Sequence, residues 1–380
     1  MVVSFYDFKS LHDNTFQKQV KERISKILEE NSFIEGEFNT KFEKEFSSMQ
    51  KTNHCLLVAN GTDALEISLK AIGIKEGDLV GLPGITFFAT AEAIINVGAK
   101  PVFIDVSPST GLLCPKSFSR VASSYDLKAV IPVHIYGLPA PIFEIELIAK
   151  KHNILIIEDA AQAFGAFHDE NQSQPIGSSN NLITYSFYPT KNLSAIGDAG
   201  AILTKCEKTA AKIKSIRNHG RGSNNTIGRN SRCDHIQAAV LHLKLQNAEK
   251  LNNQRKLIAK LYYKYLPELK DALPNDKFLE VSSWHLFPLK LESIEVRKAL
   301  QQHLQEANIG CAPYYEKSMS QEDTLRGFKG EFEEAEKLAG RVLCLPMTPF
   351  LDEKSIKVIS DKIRKFFSKT IQRSSLLTID

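Results

Sequence analysis

The chain predicts an α/β fold: a large domain with a mostly parallel central sheet, followed by a smaller α+β C-terminal domain. Three observations predict it. Short apolar runs alternate with amphipathic segments from Cys55 onward, the pattern of strands joined by helices. Two of the runs, Ala129–Val133 and Ile154–Ile157, are apolar on both faces, as buried parallel strands are. The alternation then restarts after a long helical stretch, which marks a second unit. At 380 residues the chain can bury a large core in two such units.

The elements follow in order. Residues 15 to 50 read as mostly helical and charged, with Phe16, Val20, Ile24 and Ile27 on one face; segment 1–50 is expected to pack on the small domain. Strands are expected at Cys55–Ala59, Leu79–Leu82, Pro101–Val106, Ala129–Val133, Ile154–Ile157, Leu182–Phe187 and Ala201–Thr204. Helices fill the gaps at Asp63–Ile72, Ala89–Val97, Pro141–Lys151 and Glu207–Arg217. A long helical region, Cys233–Leu266, bridges the large domain (1–250) and the small one (251–367). The small domain reads strand His285–Leu291, helix Ile294–Ala307, strand Arg341–Leu345 and helix Glu353–Phe367. The polar tail 368–380 is expected to lack order. There is no internal repeat and no low-complexity segment.

Composition narrows the function. The net charge of +4 is small, and no Lys/Arg-dense block resembles a nucleic-acid arm, so no nucleic-acid partner is expected. No apolar run is long enough to cross a bilayer and no signal peptide is read, which predicts a cytoplasmic protein without a membrane partner. Six scattered cysteines without a CxxC pair read as reduced thiols, with neither disulfide nor zinc site; no metal is expected.

Three segments carry chemistry. In Asn60-Gly61-Thr62-Asp63-Ala64-Leu65 a strand ends, a glycine turns and a helix begins, which suits a phosphate and equally suits a simple helix cap. Asp159 stands at the end of an apolar strand, where ligands bind in open α/β sheets. A carboxylate there can pair with a pyridinium nitrogen, or cap the following turn. Lys191, in Ser186-Phe187-Tyr188-Pro189-Thr190-Lys191-Asn192-Leu193, follows another strand. A primary amine is what an aldehyde cofactor needs to form an imine. A lone loop lysine is ordinarily a solvated charge, but the Pro-Thr before Lys191 and Gly197-Asp198-Ala199-Gly200 after it read as a rigid loop. His134 and Tyr136 in VHIYG, Tyr188, His219 in a Gly-flanked loop, and Tyr314 are candidates for the substrate pocket; Trp284 reads as core.

The motifs ANGTDAL, TFFATAEAI, GAKPVFIDV, PVHIYG, IIEDAAQAFGA, SFYPTKNLSAIGDAGA, RNHG and RNSRCDHIQAA occur in that order. Together they resemble the DegT/DnrJ/EryC1/StrS sugar aminotransferases over residues 30 to 365. The resemblance implies the PLP-dependent transferase fold type I, a homodimer with shared active sites, and pyridoxal 5'-phosphate that passes through pyridoxamine phosphate (PMP). It implies that Lys191 is the Schiff-base lysine, that Asp159 pairs with the ring nitrogen and that Gln162 meets the 3-hydroxyl. Gly61, Thr62, Asp63 and Ser186 would hold the phosphate, Phe87 would stack on the ring, and Asn230 would reach the neighbouring subunit's phosphate. The implied reaction turns a nucleotide-linked keto sugar, 3-keto favoured over 4-keto, into an amino sugar with glutamate as donor, in surface polysaccharide or amino-sugar biosynthesis. Two rival readings stand beside it. Dehydratases of the same fold carry histidine where this chain has Lys191. Some relatives bear regulatory or sensory names, but this chain shows no helix-turn-helix signature. One departure concerns the small domain: many relatives carry His-Tyr-Pro near the substrate, and in Gly310-Cys311-Ala312-Pro313-Tyr314-Tyr315 the reading places Pro313 where the His would be.

Overall fold

A computed structural model of the chain describes residues 2–222 and 227–376, with side chains to residue 368. Seven strands form the central sheet: β1 (His54–Val58), β2 (Leu79–Pro83), β3 (Lys100–Ile104), β4 (Leu127–Val130), β5 (Leu155–Asp159), β6 (Leu182–Ser186) and β7 (Gly200–Thr204). Their order is β1-β7-β6-β5-β4-β2-β3. β2, β3, β4, β5 and β6 pair in parallel, and β7 runs antiparallel between β1 and β6. This is the mostly parallel α/β sheet expected. β7 is joined to β6 by the connection 187–199, which holds no helix; a parallel neighbour is usually reached through a helical crossover.

Helices cover both faces. Gly61–Ala71 starts one residue after the Asn60 cap, whose side chain accepts the Asp63 N–H at 2.8 Å. Ala129, Ile131, Ile157 and Ile202 are buried among helical residues such as Ile67 and Ile94. The helix Glu37–Met49 sets Phe42 and Phe46 edge-on against Phe187, and Phe46 against Tyr185. The N-terminal helices Asn14–Glu29 and Glu37–Met49 thus pack on β1 and the helix His235–Leu245, not on residues 251–367 as expected. Phe42 and Phe46 have large apolar faces to bury, and Tyr185 of β6 and Phe187 just beyond it cover them. The stretch before these helices does reach residues 251–367: Val3 bridges Ile309 in parallel.

The expected single helical region from Cys233 is two helices, His235–Leu245 and Ala248–Tyr265, broken at Gln246-Asn247, where Asn is a weak helix former. A second sheet holds β8 (Phe287–Lys290), β9 (Ala312–Pro313) and β10 (Val342–Leu345) in the order β8-β10-β9, all antiparallel. The last helix, Glu353–Leu376, runs past the expected end at Phe367, because no Gly or Pro stops it; residues 377–380 of the tail lie outside the described residues. Helices Pro115–Ser124 and Glu333–Leu338 were not foreseen. No described helix is long and apolar enough to cross a membrane.

Candidate active site

The C-terminal ends of β1, β2, β5 and β6 open onto one cavity of about 550 Å³. Parallel strands all deliver their ends to the same side, so residues distant in sequence meet there. β1 supplies Asn60, Gly61 and Thr62; β2 leads to Thr86 and Phe87; β5 ends in Asp159; β6 ends in Ser186. Lys191 and Tyr188 enter from the β6–β7 connection, and Gln162, Tyr314 and Tyr315 complete the wall.

Asp159 is 6% exposed. Its Oδ2 accepts the Thr90 hydroxyl at 3.0 Å and its Oδ1 the Ala161 N–H at 3.1 Å. Thr90 is itself joined to Thr86 at 2.8 Å. Burial raises the Asp159 carboxyl above its ordinary value; those two donors and the Lys191 charge oppose the rise without cancelling it. Lys191 is half-buried, and desolvation brings its amine down to about 8, against an opposing pull from Asp159. The pair is therefore a carboxyl and an amine whose charged forms the site makes less favourable and which steady one another.

At the β1–β6 end the backbone closes tightly. A Cβ on Gly61 would lie 2.7 Å from the Ser186 Cβ, closer than side chains tolerate, so only glycine lets the helix start and the strand end approach this far. The helix Gly61–Ala71 points its N-terminus at that spot, with the Thr62 and Ser186 hydroxyls beside it, a cradle for a phosphate. The Asp63 side chain lies elsewhere, paired with Arg229 at 2.8 Å, and its N–H is taken by Asn60. Phe87 is 60% exposed on the cavity wall, unusual for a phenylalanine that serves only the core. Gln162 accepts the Tyr136 N–H at 2.6 Å and donates to the Tyr315 hydroxyl at 3.1 Å.

Besides Asp63, four expected residues do not line this cavity. The His134 ring is fully buried: Nδ1 accepts the Ala140 N–H at 2.9 Å, so Nε2 carries the proton and donates to Glu158 at 3.0 Å. That is a structural hydrogen-bond role, not a substrate contact. Tyr136 is buried too, its hydroxyl donating to the Tyr314 carbonyl at 2.6 Å. His219 sits on an exposed turn whose N–H reaches the Arg229 carbonyl. Asn230 is exposed, its Oδ1 accepting from Arg232 at 3.0 Å and 3.1 Å. Pro313 is on β9, and it is Tyr314 and Tyr315 that face the cavity.

Residues missed by sequence reading include Thr90, Tyr6, His285 and Tyr315. Thr90 had no local signal, because the acid it holds, Asp159, is distant in sequence. Tyr6 had none, because it arrives only through the pairing of Val3 with Ile309, and its hydroxyl then meets that of Tyr314 at 2.8 Å.

A buried acid, an amine of lowered pKa and a glycine-tight anion cradle around one cavity define a pyridoxal phosphate enzyme of fold type I. The chain belongs to the DegT/DnrJ/EryC1/StrS aminotransferase family, whose profile matches residues 14–364. It is 36% identical to a pleiotropic regulatory protein of Geobacillus stearothermophilus, over 92% of this chain and 96% of that one. It is also 36% identical to the UDP-N-acetyl-3-dehydro-alpha-D-glucosamine 3-aminotransferase of Acidithiobacillus ferrooxidans, over 93% of this chain and 95% of that one. The crystal structure of S. venezuelae DesV in complex with a ketimine intermediate superposes with a TM-score of 0.89 at 31% identity, over 96% of this chain and 98% of that one. The cofactor is pyridoxal phosphate, and the protein is a sugar aminotransferase.

Proposed function

We propose that the enzyme aminates a nucleotide-linked 3-keto sugar, takes its amino group from L-glutamate, and works in the cytoplasm as a homodimer in amino-sugar or surface polysaccharide biosynthesis. The observation that carries this is the single cavity faced by Lys191, Asp159 and the Gly61–Ser186 cradle. The relatives support the 3-keto choice: the A. ferrooxidans protein is named for a 3-dehydro sugar. The outward placement of Asn230 supports the dimer, since a side chain away from its own cavity is free to serve another. The regulatory name of the G. stearothermophilus relative belongs to that protein; here the acid, amine and cradle are all present.

When bound, the cofactor supplies a carbonyl that exchanges for an amino group and a ring that accepts an electron pair. Gly61, Thr62 and Ser186 would hold its phosphate, Phe87 would lie against the ring face, and Asp159 would keep a proton on the ring nitrogen. Gln162, fixed at both ends of its amide by Tyr136 and Tyr315, would meet the ring hydroxyl. The Lys191 amine, lowered to about 8, is unprotonated often enough near neutral pH to accept a proton from a donor carbon and return it nearby. Lysine at this position favours transamination over dehydration.

Borohydride reduction followed by mass spectrometry should fix one cofactor on Lys191, and Lys191→Ala should abolish both the adduct and turnover with a panel of nucleotide keto sugars and glutamate. Full turnover by the Lys191→Ala protein would sink the reading.

A further inference from the structure

A second, smaller recess adjoins the cavity. Tyr6, Thr190, Lys191 and His285 line both, and Arg255 lines only the recess. The two openings therefore share a wall that includes Lys191.

Cationic side chains outnumber acids in the recess, Arg255 and Lys191 against Asp7. Burial lowers the Arg255 guanidinium to about 10. Among the described residues no carboxylate pairs with it; its Nη1 donates to the main-chain carbonyls of Met347 and Trp284, the latter at 3.3 Å. Lys191 adds a second cationic group. His285 is held neutral by burial and by the charges of Lys191 and Arg255, and its Nδ1 lies 3.2 Å from the Asn192 Oδ1. Asp7 also lines the recess, but its Oδ1 accepts the Ser10 N–H at 3.0 Å and caps the helix Phe8–Leu11. A guanidinium drawn out of water without a counter-anion is unfavourable, and a bound anion offsets that.

Size and shape select the anion. The recess measures about 40 Å³. Since a water needs roughly 15 Å³ on this scale, it admits two or three heavy atoms, a carboxylate but not a ribose or a diphosphate. A guanidinium fork matches a carboxylate with two parallel hydrogen bonds.

The geometry points to a carboxylate subsite for the amino donor: Arg255, with the Tyr6 hydroxyl beside it, receives one carboxylate of glutamate while the donor's amino group lies at Lys191. This rests on the reading of glutamate as donor. It also divides the labour of the site, because the donor is recognised through the recess and the nucleotide sugar through the larger cavity.

The test compares holoenzyme with Arg255→Gln and Arg255→Lys. Arg255→Gln should raise KM for glutamate roughly 10- to 100-fold, the effect of losing a charge-assisted hydrogen bond, with KM for the nucleotide sugar and borohydride capture on Lys191 unchanged. Arg255→Lys, which keeps the charge but not the fork, should fall between. Because Arg255 also holds two carbonyls, Tyr6→Phe provides a second variant with the guanidinium intact, and it should raise the same KM a few-fold. Unchanged glutamate KM in all three, or a rise confined to the sugar KM, overturns the subsite. A wild-type enzyme that captures cofactor yet takes no amino group from glutamate overturns the donor reading and this subsite with it. Normal glutamate turnover in wild type and Arg255→Gln alike overturns the subsite alone.

Discussion

Glu158 and Asp159 are adjacent on β5, both acidic and both buried, yet the protein treats them in opposite ways. The strand pleat sends them to opposite faces. Glu158 goes where His134, Ser179 and Asn181 all offer donors. Burial would raise its carboxyl, but these partners, His134 first, pull it below the ordinary value. Asp159 meets one hydroxyl and one backbone N–H, and otherwise faces a cavity. A carboxylate offers about four acceptor sites, so Glu158 is close to saturated and Asp159 is not. Burial alone does not mark a functional acid. Acceptor capacity left facing a cavity does.

The largest effects should separate the two acids cleanly. Asp159→Asn should lower the single-turnover rate with glutamate by about 10²- to 10⁴-fold, as loss of a proton-handling group does, while urea unfolding shows little loss of stability. Glu158→Gln should do the reverse: a loss of about 2–3 kcal/mol in urea unfolding, from weakened hydrogen bonds to a buried charged group, with activity per folded molecule nearly unchanged. If both variants lose mainly activity, the division between the two acids fails.

The pH dependence sharpens the same contrast. Folding lowers the Glu158 carboxyl from 4.5, so the stability it contributes is complete above that value and is lost as pH falls through its folded pKa. Folding raises the Asp159 carboxyl from 3.8, so its contribution is complete below that value and is lost as pH rises through its folded pKa. Unfolding free energies measured between pH 3 and 7 should show Asp159→Asn gaining on wild type as pH rises. The deficit of Glu158→Gln should shrink as pH falls. Parallel profiles would contradict the assignment.

The smallest effect concerns the hydroxyl that steadies Asp159. Thr90→Val should cost about 1 kcal/mol in unfolding, a single hydrogen bond, and Thr90→Ser should restore it. A valine variant as stable as wild type would mean that Thr90 does not hold the acid.

The sheet was legible in sequence because its signal is local. Apolar runs such as Ile154–Ile157 name a buried strand whatever surrounds them, and a strand end locates Asp159 at the sheet's ligand side. Lys191, Thr62, Ser186, Phe87, Gln162, Tyr188 and Tyr314 were read from motif context and do meet at one cavity. His134 was misplaced because a strand end gives a residue's position but not the direction of its ring, which the buried Glu158 decides. Thr90 was overlooked because its partner is sixty-nine residues away. Arg255 lies in the lysine-containing helix Ala248–Tyr265, and only the fold shows that no acid among the described residues pairs with it.

The strap at Val3–Tyr6 has a consequence for the order of events in synthesis. Val3 docks on Ile309 through hydrogen bonds from Val3 N to Asn308 O and from Gly310 N to Val3 O, and this brings Tyr6 to the cavity. Its docking site is made about three hundred residues later, which at 5–20 residues per second is roughly 15–60 s. The sheet and its acids can assemble on the ribosome long before that. Residues translated among the first therefore take their places among the last, and the recess beside Lys191 stays open on a nascent chain until the small domain has emerged.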